Sequence, residues 1–498
     1  MLGHSLRKTV PDTIRIIFCH SCFRRLSSTQ TSYWSLLSRK KNIEKIVPCN
    51  TRQKFHRSAL NQGATQESPS ASSKIEPAEW DQPFQLPEPE LDWPFLLSSA
   101  NTEAIDNNIS NRKGIGDIHK VLELSQSLAA EQNVDKKEHI RRQLLAEALD
   151  IPNMSHPNAI IGDESKARVI ELVGELKEFK DKPRNISEIA GKGLKMLRHE
   201  NLTFSSGSKT YYLEDELAEL ERAIVSFTID RLFTKGFELV SVPDLLYSGV
   251  INSCGFKTTS GRSQVYQLHD KCLNGACLAG TAEMSLAGYF MNETIPLEQL
   301  PKRMMAVSRC YRAEAAEKAI EKGLYRVHHF TKVEMFGLTA NEDGTESEKL
   351  LQEILSIEKE LFSDLGLHFR ILDMPTQELG APAHKKFDIE AWMYGKQMWG
   401  EISSCSNCTD YQSRRLNIKY MLPSGHLKHV HTVNGTACAV PRMITSILEQ
   451  NQQKRRKITI PKVLQPYLNG KIEYTAEVTR SWYTYMKTLR RDPSPEDS

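Results

Sequence analysis

The stretch Arg312–Phe336, RAEAAEKAIEKGLYRVHHFTKVEMF, decides the fold. It opens on Arg-Ala-Glu and crosses a charged segment, Ala315–Lys322. It then re-enters with apolar residues set among polar ones: Leu324, Val327, Phe330, Val333 and Met335. Val and Phe bounded by Gly323 and Gly337 read as a strand, and the apolar run Met304–Val307 reads as its partner. The pair is a long hairpin whose connecting loop carries the charges. Its two strands are expected to turn Arg312, Glu314, Arg326, Phe330 and Glu334 inward. Two cations, two carboxylates and one aromatic ring on a rigid sheet suit a polyanion together with an amino group. The bland reading is a surface hairpin with ordinary ion pairs, so the flanking blocks matter.

Upstream, residues 213–235 read as an amphipathic helix with Leu213, Leu217, Leu220, Ile224 and Phe227 on one face. Gly236 ends it, a strand runs to Val242, and Pro243 stops the strand. In Leu278–Phe290, Thr281-Ala282-Glu283 reads as a helix start, with Thr as N-cap and Glu in the first turn. Downstream, FDIEAWM (Phe387–Met393) alternates as a strand. WGEISSCSNCTDYQSRR (Trp399–Arg415) reads as a strand and a turn. Asn407, Gln412, Arg414 and Arg415 form a polar group expected to surround a ligand. HTVNGTACAVPRMITSILEQNQQ (His431–Gln453) reads as strand, turn and helix, with Arg442 at the switch after Pro441. No G-x-x-x-x-G-K-[ST] loop occurs, so a nucleotide is not bound by a P-loop.

Taken in order, these blocks resemble the three signature motifs of class II aminoacyl-tRNA synthetases. The Thr-Ala-Glu triplet and the wording GLYRVHHFTKVEMFG resemble the seryl-tRNA synthetases, in their animal mitochondrial form. The resemblance runs from about Ile151 to Leu468. It implies an α+β fold: a class II antiparallel sheet flanked by helices and preceded by a short helical-hairpin arm. It implies activation of L-serine by ATP to seryl-adenylate, then transfer to the 3′-hydroxyl of mitochondrial tRNA(Ser), by a homodimer in the mitochondrial matrix. By the same resemblance Arg312, Glu314 and Arg442 are catalytic. ATP would be held by Arg312, Ala313, Glu314, Arg326, Val327 and Phe330, with Glu401, Ile402, Ser403, Ser404 and Arg442. Phe330 and Arg442 would sandwich adenine. Glu401 and Ser404 would face Mg²⁺, which takes oxygen ligands and nucleotide phosphates. Serine would be read by Thr281, Ala282, Glu283, Glu334, Asn434 and Thr436.

The chain departs from the resemblance in two places. Its helical arm is short, and the loop Ala315–Lys322 carries Glu317 and Glu321, with Lys322 where Arg is usual. Carboxylates beside phosphates repel, and Lys lacks the planar fork of Arg. These departures keep a second reading open, a weakened synthetase-like chain that binds or regulates.

Composition sets the outer bounds. The chain has 498 residues, 26% charged and 39% hydrophobic, with a net charge of +3, so any RNA contact must be local. No apolar run reaches roughly 18 residues, and no membrane span is expected. Residues 1–60 carry many Arg, Lys and Ser against Asp12 and Glu44 alone, the composition of a mitochondrial transit peptide. Residues 61–93, rich in Gln, Ser, Pro and Glu, read as a disordered linker or a docked extension anchored by Trp80 and Trp93. Residues 94–150 form the arm, with stripes Leu122/Leu124/Leu128 and Ile140/Leu144/Leu145/Leu149 and a turn at Asn133–Lys136. Residues 151–468 form the catalytic domain and 469–498 a basic tail. Two C-x-x-C pairs, Cys19–Cys22 and Cys405–Cys408, are not expected to bind zinc.

Overall fold

Eight strands form the central sheet: β1 Arg168–Val173, β2 Glu238–Val240, β3 Lys302–Tyr311, β4 His329–Thr339, β5 Phe369–Asp373, β6 Lys385–Met393, β7 Met398–Thr409 and β8 His431–Ala439. Their order across the sheet is β1-β5-β6-β7-β8-β4-β3-β2. Every neighbouring pair is antiparallel except β2 with β3. The computed structural model describes residues 86–475 apart from 200–201, 203–204, 260–262, 270–274 and 315–322. The leader expected at 1–60, most of the expected linker, Cys19–Cys22, the charged loop and residues 476–498 of the tail lie outside the described residues.

Ahead of the sheet come four helices, α1 Trp93–Leu96, α2 Thr102–Asn111, α3 Ile118–Ala130 and α4 Val134–Asp150. Side chains cap three of them: Asp92 accepts from the Phe95 amide at 3.1 Å, Asp117 from the Lys120 amide at 3.0 Å, and Asn133 from the Lys136 amide at 3.1 Å. Asn133 is therefore an N-cap, and the expected turn at Asn133–Lys136 shortens to Glu131–Asn133 because Val134 already begins α4. Leu91, Leu96, Ile105, Ile109, Ile118, Val121, Leu124, Leu144, Ala148 and Ile151 make a small core of their own. Residues 86–93 are correspondingly ordered against the body: the Glu90 amide donates to the Arg414 carbonyl at 2.8 Å. The base of this helical unit is packed on the rest of the chain. The Arg415 guanidinium donates to the Leu149 carbonyl, and Lys257 pairs with Asp150 at 3.0 Å.

Strand alternation places residues on two faces of the sheet. Val333 and Met335 of β4 point to one side. There they join Leu220 and Ile224 of α5 (Glu216–Thr234), Leu351 and Ile354 of α8 (Glu346–Asp364), and Ile444 and Ile447 of α10 (Val440–Gln450). Helix α8 lies close because glycines let it: a Cβ on Gly337 would stand 2.4 Å from Leu350, and one on Gly435 2.4 Å from Ile354. On the opposite side Met304 and Ala306 of β3, with Phe336 and Leu338 of β4, pack on Ile251, Met284, Leu286 and Leu416. Those residues come from α6 (Ser248–Ser253), α7 (Ala282–Tyr289) and α9 (Tyr411–Leu416). Among the described residues no helix is long and apolar enough to cross a membrane.

The fold class is the expected one, with local corrections. The hairpin strands end at Tyr311 and restart at His329, so Arg312, Glu314 and Arg326 stand on the connecting loop rather than on strands. The block Trp399–Arg415 ends in helix α9, not a turn. Strand β8 runs into α10 with no turn between, Pro441 occupying the first turn, where its missing amide costs nothing. Strand alternation also sends Cys405 and Cys408 to opposite faces: Cys405 lies beneath the sheet and Cys408 faces the cleft described below.

Candidate active site

On the second face, Phe330, Lys332 and Glu334 of β4 continue the line of Phe336 and Leu338, but they line a cleft of about 410 Å³. Its floor is β4, β7 and β8. Its walls are the starts of α7 and α10, residues 324–327, and the loop 378–383. The sheet register sets the floor: Thr436 lies opposite Glu334, and Asn434 opposite Ser406, which in turn lies opposite Lys386.

One group of side chains gathers around the start of α7. Thr281 caps that helix with an extended backbone and accepts from the Glu283 amide at 3.3 Å. Lys332 donates to the Thr281 hydroxyl at 2.8 Å and the Thr436 hydroxyl at 3.4 Å, and pairs with Glu334. Gln412 of α9 donates to Glu283 at 2.6 Å, and Asn434 donates to it at 3.3 Å. Burial, reinforced by the neighbouring Glu334, pushes the Glu283 carboxyl up to about 7, against the pull of Gln412, Lys332 and Arg312.

A second group surrounds Glu401. Arg442 reaches the Glu401 carboxylate at 3.1 Å and its carbonyl at 3.0 Å, and lies 4.6 Å over the Tyr325 ring. Burial pushes the Glu401 carboxyl up, but Arg442, Lys386 and Arg312 outweigh it and hold the group at about 2. Lys386 pairs with Asp388 at 2.9 Å. Burial pushes the Asp388 carboxyl up to about 7 despite Lys386. Between the groups, the Arg312 guanidinium lies 5.3 Å over the Phe330 ring. Arg326 meets Glu314 at 3.4 Å, and the Arg312 amide donates to the His328 carbonyl at 2.9 Å. The cleft thus offers a cation-rich end with aromatic faces and a smaller end lined by carboxylates and hydroxyls.

Of the sequence-predicted residues, Thr281, Glu283, Arg312, Glu314, Arg326, Val327 and Phe330 line this one cleft, as do Glu334, Glu401, Ile402, Ser403, Ser404, Asn434, Thr436 and Arg442. Ala282 and Ala313 do not: Ala282 is fully buried inside α7, and the Ala313 amide is bonded to the Gln264 carbonyl. Asn407, Arg414 and Arg415 are corrected as well. Asn407 is buried and donates to Ser347, Arg414 pairs with Asp410 and Asp92, and Arg415 lies over Tyr411. Of that group only Gln412 reaches the site, through Glu283.

Sequence reasoning missed Lys332, Lys386, Tyr325 and the loop 378–383. One of these was signalled by parity: Lys332 sits midway between Phe330 and Glu334 on an alternating strand.

Comparison with known proteins places this geometry. Residues 266–451 match the model of the tRNA synthetase class II core domain (G, H, P, S and T). The serine–tRNA ligase of Treponema denticola is 37% identical over 423 residues, which cover 76% of this chain and 98% of that protein. The chain belongs to the serine–tRNA ligase family. The mitochondrial serine–tRNA ligase of mouse is 49% identical over 330 residues; the chain spans 63% of that relative's length. The seryl-tRNA synthetase of Pyrococcus horikoshii, solved in complex with ATP, is 28% identical, with a TM-score of 0.67 over 77% of this chain and 99% of that one. The central sheet, the cleft and the helical unit before them are thus those of a family member rather than of a surface hairpin with incidental charges.

Proposed function

We propose that the chain is a serine–tRNA ligase: it activates L-serine with ATP and transfers it to the 3′-hydroxyl of tRNA(Ser). The observation that carries this reading is the convergence, in one cleft, of Thr281, Glu283, Glu334, Asn434 and Thr436 with Arg312, Phe330, Glu401 and Arg442. A small zwitterion with a hydroxyl fits the first set, and a nucleotide triphosphate fits the second.

The serine carboxylate attacks the α-phosphorus of ATP and pyrophosphate leaves; the chain supplies position and charge rather than a nucleophile. Arg312 holds the α-phosphate and the serine carboxylate. Adenine stacks on Phe330, so Arg312 gives up part of that ring face when the nucleotide arrives. Arg442 covers adenine from the other side, held in plane by Glu401 and Tyr325. Arg326 and Glu314 act at the distal phosphates and the base. The ribose 3′-hydroxyl of the tRNA then attacks the acyl carbon, and AMP leaves.

The Glu401 carboxylate and the Ser404 hydroxyl give two oxygen donors in the cleft that suit Mg²⁺. Among the described residues no group of three or more His, Cys, Asp or Glu is placed to hold a metal. Nucleotide phosphates would therefore complete the shell, as is usual for this ion. Once bound, the ion would neutralise phosphate charge.

Mitochondrial matrix location is supported by the basic, acid-poor leader and by the mitochondrial relatives. A homodimer is supported by exposed apolar residues, Phe233 near the end of α5 and Leu239 on the edge strand β2. The short helical unit of α3 and α4 would meet the tRNA. The test is charging of mitochondrial tRNA(Ser) by the purified protein: labelled serine should become acid-precipitable, and threonine and alanine should not. No charging with any amino acid would overturn the proposal.

A further inference from the structure

The small end of the cleft holds two carboxylates, Glu283 and Glu334, and one ammonium, Lys332, which bonds both hydroxyls there and one of the carboxylates. Lys332 is buried, and its ammonium meets Thr281, Thr436 and Glu334 at once. A threonine hydroxyl has two acceptor lone pairs and one donor hydrogen. The lone pairs of Thr281 are taken by the Glu283 amide at 3.3 Å and by Lys332 at 2.8 Å. Its hydrogen is therefore left to donate. A ligand placed there must offer Thr281 an acceptor oxygen, and its own proton can go to a carboxylate. A hydroxymethyl group does both; a methyl group leaves the donor and a carboxylate unpaired.

Charge points the same way. With both carboxylates ionised, Lys332 brings the net charge of the group to −1. One ligand ammonium makes it neutral when Arg312 takes the ligand carboxylate. Without Lys332 the group carries two uncompensated carboxylates. We infer, resting on the function proposed above, that Lys332 is a specificity-determining residue. Its ammonium offsets one buried carboxylate and turns Thr281 into a donor, so the cleft selects a ligand with one ammonium and one hydroxyl.

The charged or titratable groups acting on Glu283 are Glu334 and Lys332 from β4, Arg312 from the loop after β3, Cys408 from β7, and Cys254, which follows α6. Burial and Glu334 raise the Glu283 carboxyl to about 7, and Lys332 and Arg312 oppose the rise. A ligand ammonium needs the ionised form. Serine affinity therefore falls as pH drops through about 7, and removing Lys332 moves that fall to higher pH.

The test uses the full chain in serine-dependent ATP–pyrophosphate exchange between pH 6 and 9. The variants are Lys332→Met, Lys332→Arg and Glu283→Gln. Lys332→Met should raise the KM for serine at least tenfold, cut the serine-to-alanine ratio of kcat/KM at least tenfold, and leave the KM for ATP within twofold. Its serine KM should begin to climb at a pH higher by about one. Lys332→Arg should keep the wild-type pH profile, and Glu283→Gln should abolish the pH dependence. An unshifted profile in Lys332→Met, or a retained one in Glu283→Gln, overturns the inference while the function stands. Should Lys332→Met fail to fold, Lys332→Gln is read in the same way, since it removes the charge and keeps a polar side chain. Absence of serine-dependent exchange in the wild type overturns both function and inference.

Discussion

Arg112 offers a prediction that runs against the usual sense of a conservative change. It is the C-cap of α2, is 5% exposed, and has no carboxylate among its hydrogen-bond partners in the described residues. Its guanidinium donates to the carbonyls of Asn153 at 2.7 Å, Ala383 at 2.9 Å, Ala381 at 3.3 Å and Gly380. Three of those belong to the loop that walls the cleft. Burial pulls the Arg112 guanidinium down to about 10 from 12.5, so keeping it charged costs roughly 3 kcal/mol. Asn153 O and Ala381 O have second donors, Asn108 Nδ2 and the Asn153 amide. Removing the side chain therefore orphans the carbonyls of Gly380 and Ala383, at roughly 1–3 kcal/mol each. In Arg112→Met that loss is set against relief of the buried charge, leaving a net destabilisation of about 1 kcal/mol. In Arg112→Lys the charge stays buried while the ammonium, a single point, lacks the span of the guanidinium, whose two ends reach Ala383 and Gly380 separately, so the loss is about 2 kcal/mol. Lys should be the worse replacement. Urea unfolding of the three proteins measures the order, and the serine KM should rise in both variants as the loop loosens. A Lys variant as stable as the wild type would refute this reasoning.

Two further outcomes follow from packing and burial. Gly435→Ala would put a Cβ 2.4 Å from Ile354 and 2.7 Å from the Glu358 carboxyl, so a loss of roughly 1–3 kcal/mol is expected in thermal unfolding. Full stability in that variant would show that α8 can move aside. Glu358 is fully buried under the sheet, and burial, with Glu334 and Asp388 adding to it, pushes its carboxyl well above 4.5. Its folded value is the raised one, so its contribution is intact below the unfolded value and is lost as pH rises beyond it, by up to about 1.4 kcal/mol per pH unit. Glu358→Gln should therefore gain on the wild type between pH 5 and pH 8 in melting temperature; parallel curves would contradict this.

The legible part of the chain was the part governed by strand periodicity. Phe330 and Glu334 could be placed on one face because side chains alternate. The same alternation puts Lys332 between them on that face. Arg414 and Arg415 were misplaced because a short helix, α9, turns them away from the sheet toward Asp92, Asp410 and Leu149. The loop 378–383 gave no local sign of its role: Arg112 holds it from 268 to 271 residues away in sequence, and no periodicity connects such positions. Gly255 is similar: a Cβ there would stand 2.6 Å from Pro382, a closeness set by tertiary packing.

The central claim is that one sheet face assembles a serine site and a nucleotide site in a single cleft. Amino-acid-dependent ATP–pyrophosphate exchange, run without tRNA across the twenty amino acids and with Arg312→Ala as control, tests it most directly. The account predicts exchange with serine, little with threonine or alanine, and a loss of at least about 100-fold in the control, since a charged group acting at the transition state contributes several kcal/mol. Exchange driven equally by several amino acids, or unchanged in Arg312→Ala, would contradict it.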